Sequence, residues 1–440
     1  VQPLRSSFGK VFMGAAGTDA APSEDEFNRV SFLSHFEGSN NGVNNAFDDG
    51  SADNRTITTA GNVTQGSFGP FARPDGEWGV DLPANGDTIN LGSSTDFNFA
   101  GDFSIEMFLM DSATDGIIFA SHKQDDASGY YLFNRPARWD VYNAGNGFNL
   151  GNANIQPVGV WYHLVISRQS GSMRVFIDGV LKAVVSNSST IGASAYDFML
   201  GGTINRSGNL DFTCAAKISN FRIVNGSCAT AYQTSSTTVG ATIFAVPTGK
   251  LTAVTNTKLL TCQSNRFVDN SASAHTATPT GNAAVISFGP FLTSSVYNAT
   301  VNGASAYMDG SGDTLRATWT AADIINQNFT LEYWLYFQET SGYGTVSIGA
   351  NDNSASYVHL SYASNGQVFS DDGQNSGSGP ATSAGAISPN SWNHLALVRV
   401  SNDMFIYING AKIATKAITA SLFQGQSGEF GIGYIANPLE

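Results

Sequence analysis

Apolar and polar positions alternate along most of this chain. Phe103, Ile105, Met107 and Leu109 are interleaved with Ser104, Glu106 and Phe108, and Phe329, Leu331, Tyr333 and Leu335 repeat the pattern. A period of two, rich in aromatic and branched side chains, predicts a strand with one face in a core. Leu164 with Ile166, and Leu395 with Leu397, predict two further strands. Arg174-Val-Phe-Ile-Asp-Gly-Val-Leu181 reads as strand, glycine-bearing turn and strand, hence a hairpin, and Met404 to Ile413 is its counterpart. No convincing amphipathic helix is visible. Asp323-Ile-Ile-Asn-Gln327 suits one short turn.

The pattern occurs twice. Ser67-Phe-Gly-Pro-Phe71 recurs as Ser287-Phe-Gly-Pro-Phe291, and Gly86-Asp-Thr-Ile89 as Gly312-Asp-Thr-Leu315. Phe103-Ser-Ile-Glu106 recurs as Phe329-Thr-Leu-Glu332, Trp161-Tyr-His-Leu164 as Trp392-Asn-His-Leu395, and Phe176-Ile-Asp-Gly179 as Tyr407-Ile-Asn-Gly410. Order is kept and spacing drifts slowly, as expected of two copies of one fold with small loop insertions. The expected organisation is an irregular arm at 1–28, a first copy at 29–230 opening with Val30–Phe36, a Thr/Ser-rich linker at 231–256, and a second copy at 257–440 opening with Lys258–Cys262. The first copy closes with the strand Ala216–Val224. No counterpart follows Gly433, so the second copy is expected to be completed by chain beyond Glu440, or else by a neighbour.

Composition narrows the function. The 440 residues carry a net charge of −14, with charged residues only 13% of the chain. Strong acidity without a Lys/Arg run argues against nucleic-acid binding. No apolar run is long enough to cross a bilayer as a helix. Cys214 and Cys228 flank the predicted strand, whose length holds its ends farther apart than a disulfide reaches, so free thiols are expected. The sequons at Asn54, Asn62 and Asn328 follow from an Asn- and Thr-rich composition.

The ordered motifs, with the opening His35-Phe-Glu-Gly38, resemble the laminin-G-like branch of the concanavalin A-like jelly rolls. That implies an all-β protein of two tandem jelly-roll β-sandwiches. Leu259 to Asn270, Ile218-Ser-Asn-Phe-Arg-Ile223 and Gln65 to Phe71 also resemble tandem repeats of virion proteins in marine tailed phages. Ser6-Ser-Phe-Gly-Lys10 resembles the amino-terminal segments of those proteins. The resemblance implies a non-catalytic fibre or appendage in the virion. Ser6, Ser7, Phe8, Gly9 and Lys10 would attach it to other virion proteins, its jelly rolls would reach host-surface glycan, and it would form a homo-oligomer. The alternatives are a cement protein that binds only neighbouring subunits, or a secreted glycan-binding protein or glycoside hydrolase.

Catalytic residues are not expected. Asp102 and Glu106 lie four apart on one strand, a spacing that suits a pair of hydrolytic carboxylates. Glucanases of this architecture carry an acid between the two, and here Ser104 takes its place. The second copy has Asn328 in place of Asp102. His163 and His394 read as satisfied sheet residues. No zinc motif occurs. Asp48–Asp53, Asp125-Asp126 and Asp371–Asn375 are oxygen-rich loops that suit Ca²⁺, though none is a complete calcium loop. Glycan contacts are expected from aromatic platforms with polar neighbours: Tyr130, Arg135, Arg138, Trp139 and Tyr142, and in the second copy Tyr357, His359 and Tyr362. Alternation along the strands places at least half of these aromatics in a core.

Overall fold

The structure is a computed structural model. It describes residues 6–14, 30–36, 44–51, 53–66, 68, 78–84, 86–112, 115–123, 129–134, 138–141, 148–149, 158–192, 195–291, 305–309, 311–319, 328–338, 343–350, 357–370, 379–418 and 428–433. Asp323–Gln327 lies outside them. Among the described residues there is no α-helix, only short 3-10 turns at Thr95–Phe97 and Thr230–Tyr232.

The strands fall into an alternating series of two segment types. The first segment holds β1 (Ser6–Gly14), β2 (Val30–Ser34), β3 (Ile57–Ala60) and β4 (Thr64–Gly66). A longer body follows: β5 (Gly79–Leu82), β6 (Thr88–Asn90), β7 (Phe103–Asp111), β8 (Ile117–His122), β9 (Gly129–Phe133), β10 (Arg138–Val141), β11 (Phe148–Asn149), β12 (Tyr162–Gln169), β13 (Ser172–Ile177), β14 (Val180–Ser186), β15 (Phe198–Leu200), β16 (Thr203–Ile204) and β17 (Leu210–Asp211). The short segment then recurs as β18 (Ala216–Asn225), β19 (Thr257–Thr261), β20 (Thr278–Thr280) and β21 (Ala284–Ile286). The body recurs as β22 (Ser305–Met308), β23 (Thr314–Trp319), β24 (Phe329–Phe337), β25 (Tyr343–Ala350), β26 (Tyr357–Ala363), β27 (Val368–Phe369), β28 (Trp392–Val400), β29 (Asp403–Ile408), β30 (Ala411–Ala417) and β31 (Gly428–Ile432).

Two compact units result, residues 73–294 and residues 1–72 with 295–440, referred to below as the first and second sandwich. In the first, an eight-stranded sheet runs β14-β13-β12-β7-β18-β5-β21 with β19 on β18, facing a sheet β11-β10-β9-β8-β15-β6-β20. In the second, the corresponding sheets run β30-β29-β28-β24-β1-β22-β4 with β2 on β1, and β27-β26-β25-β31-β23-β3. The two eight-stranded sheets match strand for strand; in the other pair, β11 of the first sandwich has no counterpart among the described residues of the second. Phe103, Ile105, Met107 and Leu109 point into the first core, and Phe329, Leu331, Tyr333, Leu335 and Phe337 into the second, as the alternation predicts.

The short segment closes each sandwich, and here the organisation departs from the expected one. Val30–Ser34 belongs to the second sandwich, where Phe32 and Phe36 are buried in its core. Thr257–Thr261 belongs to the first, paired with β18. The place that β18 holds between β7 and β5 is held in the second sandwich by β1, paired with β24 and β22. Ser6–Gly14 is thus a central strand rather than part of an irregular arm. A repeat fixes the period of a pattern but not the point at which one unit begins.

Asp87 and Asp313, the acids of the Gly-Asp-Thr motif, tie each closing segment to its body. Asp87 accepts from the backbone of Asn282 (2.7 Å), and Asp313 from that of Asn62 (2.6 Å). The Ser-Phe-Gly-Pro-Phe motif is the joint between segment and body. Phe288 packs on Trp161, and Phe68 on Trp392 and Tyr336.

Residues 231–256 are not a linker. They strap the outer face of the first sandwich's eight-stranded sheet, with Tyr232 buried and Ile243 and Phe244 packed on Val165, Phe176 and Leu181. Backbone bonds from Leu181 to Ala241 (2.9 Å) and from Ile243 to Gly179 (2.8 Å) fasten the strap. A sheet covered on both faces needs apolar residues at successive positions, and β7 is buried along almost its whole length.

Candidate functional site

On β7, Glu106 faces the strap and is fully buried. Strand register sets Arg222 opposite it. Arg222 donates through Nε to Oε1 at 2.6 Å, and its Nη2 reaches the same oxygen. The Tyr232 hydroxyl donates to Oε2, and His163 Nε2 lies 3.3 Å from that atom. Burial, and then the carboxylate beside it, push the Tyr232 phenol far above its ordinary value, so it remains a donor. Both carboxylate oxygens are committed to protein partners. Glu106 is a charge-balanced structural acid with no oxygen turned to solvent.

The supposed second acid has an equally structural task. Asp102 accepts from the backbone N–H of Ser170 at 2.9 Å, and Asn328 makes the equivalent bond to Ser401 at 2.8 Å. Since the amide serves as well as the acid, charge is not needed there. His163 and His394 sit as expected of sheet residues: their backbone N–H groups donate to Asp178 (2.8 Å) and Asn409 (3.0 Å) in the hairpin turns.

The same strand positions in the second sandwich form an open surface. Glu332 and His394 pair at 3.1 Å, with side chains 34% and 25% exposed. Trp334 stands opposite His394 in register, their rings 5.2 Å apart. Across the sheet, Glu332, Ala396, Tyr407 and Lys412 are successive register partners on β24, β28, β29 and β30. Lys412 Nζ lies 5.0 Å from the centre of the Phe405 ring. The corresponding row in the first sandwich is Glu106, Val165, Phe176 and Leu181. The apolar row is buried under the strap. The row with Tyr407 and Lys412 is only partly buried and combines flat aromatic surface, a small residue between larger ones, a carboxylate, an imidazole and an ammonium group.

The aromatics singled out from sequence lie mostly elsewhere. Tyr130 is buried in the first core, its hydroxyl donating to the Phe97 carbonyl at 2.9 Å, and Tyr362 is buried in the second. Neither presents a ring to a ligand, because alternation turns both inward. Their strand neighbours face outward: Tyr131 lies near Phe133 and His122, and Phe133 is 6.1 Å from the half-exposed Phe212. His359 is buried beside Phe369, its Nδ1 2.5 Å from the Ser361 hydroxyl. Arg138 and Trp139 occupy β10 opposite Phe133 and Leu132, and Tyr357 begins β26 opposite Gly349. Arg135 and Tyr142 lie outside the described residues, as do Asp125-Asp126 and Asp371–Asn375. Ser6–Gly9 are paired on both sides within their sheet and Lys10 continues the same strand, so none of the five belongs to a free docking arm.

Asp49, in one candidate calcium loop, already accepts four hydrogen bonds. Leu33 and Ser51 donate backbone N–H groups at 2.8 and 2.9 Å, the Ser51 hydroxyl donates at 2.9 Å, and the Arg55 N–H at 3.0 Å. Asp269 repeats the arrangement with Leu260, Ser271 and His275. These loops are closed by their own donors. Among the described residues, no group of three His, Cys, Asp or Glu side chains is placed to hold a metal ion. Cys214, Cys228 and Cys262 are buried free thiols, and β18 holds the first two apart.

No curated protein matches this chain. Solved structures similar to it include mouse laminin alpha1 chain domains LG4-5, at 12% identity over 81% of each chain with a TM-score of 0.28. The heptameric SAP-like pentraxin of Limulus polyphemus is 15% identical over 33% of this chain and 75% of its own, with a TM-score of 0.26. The CBM40 of Ruminococcus gnavus IT-sialidase, bound to alpha2,3 sialyllactose, is 10% identical over 33% of this chain and 91% of its own, with a TM-score of 0.24. The domain of the concanavalin A-like lectin/glucanases superfamily matches residues 83–231 and 309–437, one match in each sandwich. With more than half of its length matched, the chain belongs to that superfamily and carries two copies of its laminin-G-like domain.

Proposed function

We propose that this is a non-catalytic glycan-binding protein that holds sugar on the open face of the second sandwich, and that it serves in a phage virion as an appendage touching the host surface. The observation that carries the binding reading is the contrast between the two equivalent rows. Where the first sandwich has Val165, Phe176 and Leu181 under a strap, the second has Ala396 beside a half-buried Tyr407 and an exposed Lys412. Flat aromatic rings stack on the apolar faces of sugar rings, and carboxylate, imidazole and ammonium groups bond their hydroxyls.

Hydrolysis by a retaining or inverting route needs two carboxyl groups, about 5 to 10 Å apart. Glu332 has the amide Asn328 where a partner acid would stand, and both oxygens of Glu106 are occupied. The virion setting is supported by the resemblance of the repeats to phage structural proteins. A glycan array probed with the full chain and with Trp334→Ala tests the binding reading. The wild type is expected to retain a defined set of glycans, and the variant to lose at least tenfold in affinity. Equal retention by both, or by neither, overturns the assignment.

A further inference from the structure

We propose that the closing segment, residues 6–66, is exchangeable between copies, so that the segment of one chain closes the body at 305–432 of a second copy and chains join head to tail. In the first sandwich the body is closed by the segment that follows it, β18 to β21. In the second, the body is closed by a segment that precedes it by far: the Thr58 hydroxyl donates to the Arg316 carbonyl across 258 residues of sequence (3.4 Å). The segment strands take the same places in the sheets in both cases. Recognition of segment by body is therefore independent of where, or in which direction, the two are covalently joined.

The recognition is also complete in itself. The segment contributes Phe32, Phe36 and Val63 to the core of the second sandwich. Phe32 packs 4.4 Å from the Phe430 ring. Asn62 is held by Asp313 through its backbone (2.6 Å) and by Asp309 through its amide (3.0 Å), and Arg55 donates to the Thr318 carbonyl at 2.6 Å. The Ser305 hydroxyl caps the joint by donating to the Phe68 carbonyl at 2.6 Å. All these contacts run between residues 32–68 and 305–430 and none depends on the intervening first sandwich. A second copy reproduces every one, which is the condition under which exchange of an identical element is a low-cost route to assembly. Reciprocal exchange between two copies closes a two-fold dimer, and exchange passed on from copy to copy forms larger rings or open filaments.

Register supplies the test, because Thr58 and Arg316 are direct cross-strand partners. One copy carries Thr58→Cys alone and another carries Arg316→Cys alone. The two are unfolded, refolded together and oxidised. Within one chain neither new cysteine has a partner, and the native thiols are buried. Exchange yields a disulfide-linked pair of chains, with the two introduced cysteines identified as the bridge by peptide mass. The yield of that pair rises as protein concentration approaches the effective concentration of an intrachain tether, about 1 mM. Absence of that pair at every concentration, while the single chain bearing both substitutions oxidises within itself, overturns the proposal. Unmodified light and isotope-labelled chains, weighed as intact assemblies, give an independent reading: mixed assemblies that form on joint refolding but not on mixing of folded chains support exchange, and monomers alone refute it.

Discussion

The glutamate of the Phe-x-(Ile/Leu)-Glu motif does different work in the two copies, and its surroundings decide which. Glu106 is sealed with Arg222, Tyr232 and His163, whereas Glu332 shares a half-open surface with His394. Removing one charge from a sealed pair strands the other. Glu106→Gln should therefore destabilise the first sandwich by about 3 kcal/mol in chemical denaturation. Glu332→Gln should change the second by less than about 1 kcal/mol. Equal effects would show that the two sites are alike. The thiols give a second residue-scale expectation. Burial pushes Cys214 and Cys262 up to about 12 and Cys228 to about 11, from an ordinary 9.0. A group held protonated by folding contributes stability that is full below its unfolded value and is lost as pH rises through the folded one. Labelling by a thiol reagent at neutral pH should accordingly be negligible until the chain unfolds, and the unfolding midpoint should fall as pH rises from 9.0 towards about 12. Prompt labelling of any native thiol would contradict the burial. At this scale the sequence was informative about roles that are structural. Asn328 in place of Asp102 argues against a catalytic pair of carboxylates, and the His of Trp-x-His-Leu reads as a sheet residue. Of the aromatic candidates, Tyr130 and Tyr362 turn into the cores, because alternation says that neighbours face opposite ways without saying which face is the core.

Among elements, the turn of each closing segment sets the tightest demand. Gly61 and Gly281 have φ of +71° and +67°, and a Cβ at either would collide with the carboxylate of Asp313 or Asp87. Gly61→Ala should cost more than about 1 kcal/mol and act on the same contact as Asp313→Ala. The double variant should therefore melt close to the worse single variant rather than at the sum of both shifts. Full additivity in thermal melts would mean that the turn and the acid act independently. The strands themselves were legible, since period-two alternation marks β7 and β24 and the Asp-Gly and Asn-Gly dipeptides mark the hairpin turns after β13 and β29. The strap at 231–256 was not, because a Thr/Ser-rich stretch looks like a linker until its few apolar residues, Tyr232, Ile243 and Phe244, find the outward row of Val165, Phe176 and Leu181. One signal could have revealed the open face. Comparing outward positions between copies turns Val165, Phe176 and Leu181 into Ala396, Tyr407 and Lys412, a loss of apolar character on a face that needs no cover.

For the molecule as a whole, the repeat announced two sandwiches but not how the chain shares them out. A cyclic series of segment, body, segment, body can be cut at several points. Hydrogen bonds between β1 and β24 or between β3 and β23 leave no local trace in sequence. The two sandwiches differ on one sheet face. The first is sealed on the sheet face where the second is open, so sugar should reach only one of them there. The most direct test is a crystal structure of the full chain soaked with the glycan it retains best on an array. The expected result is a sugar ring stacked on Trp334 or Tyr407, with its hydroxyls within hydrogen-bonding distance of Glu332, His394 or Lys412. A sugar bound instead beside Phe133 and Phe212, or none bound at all, would contradict it.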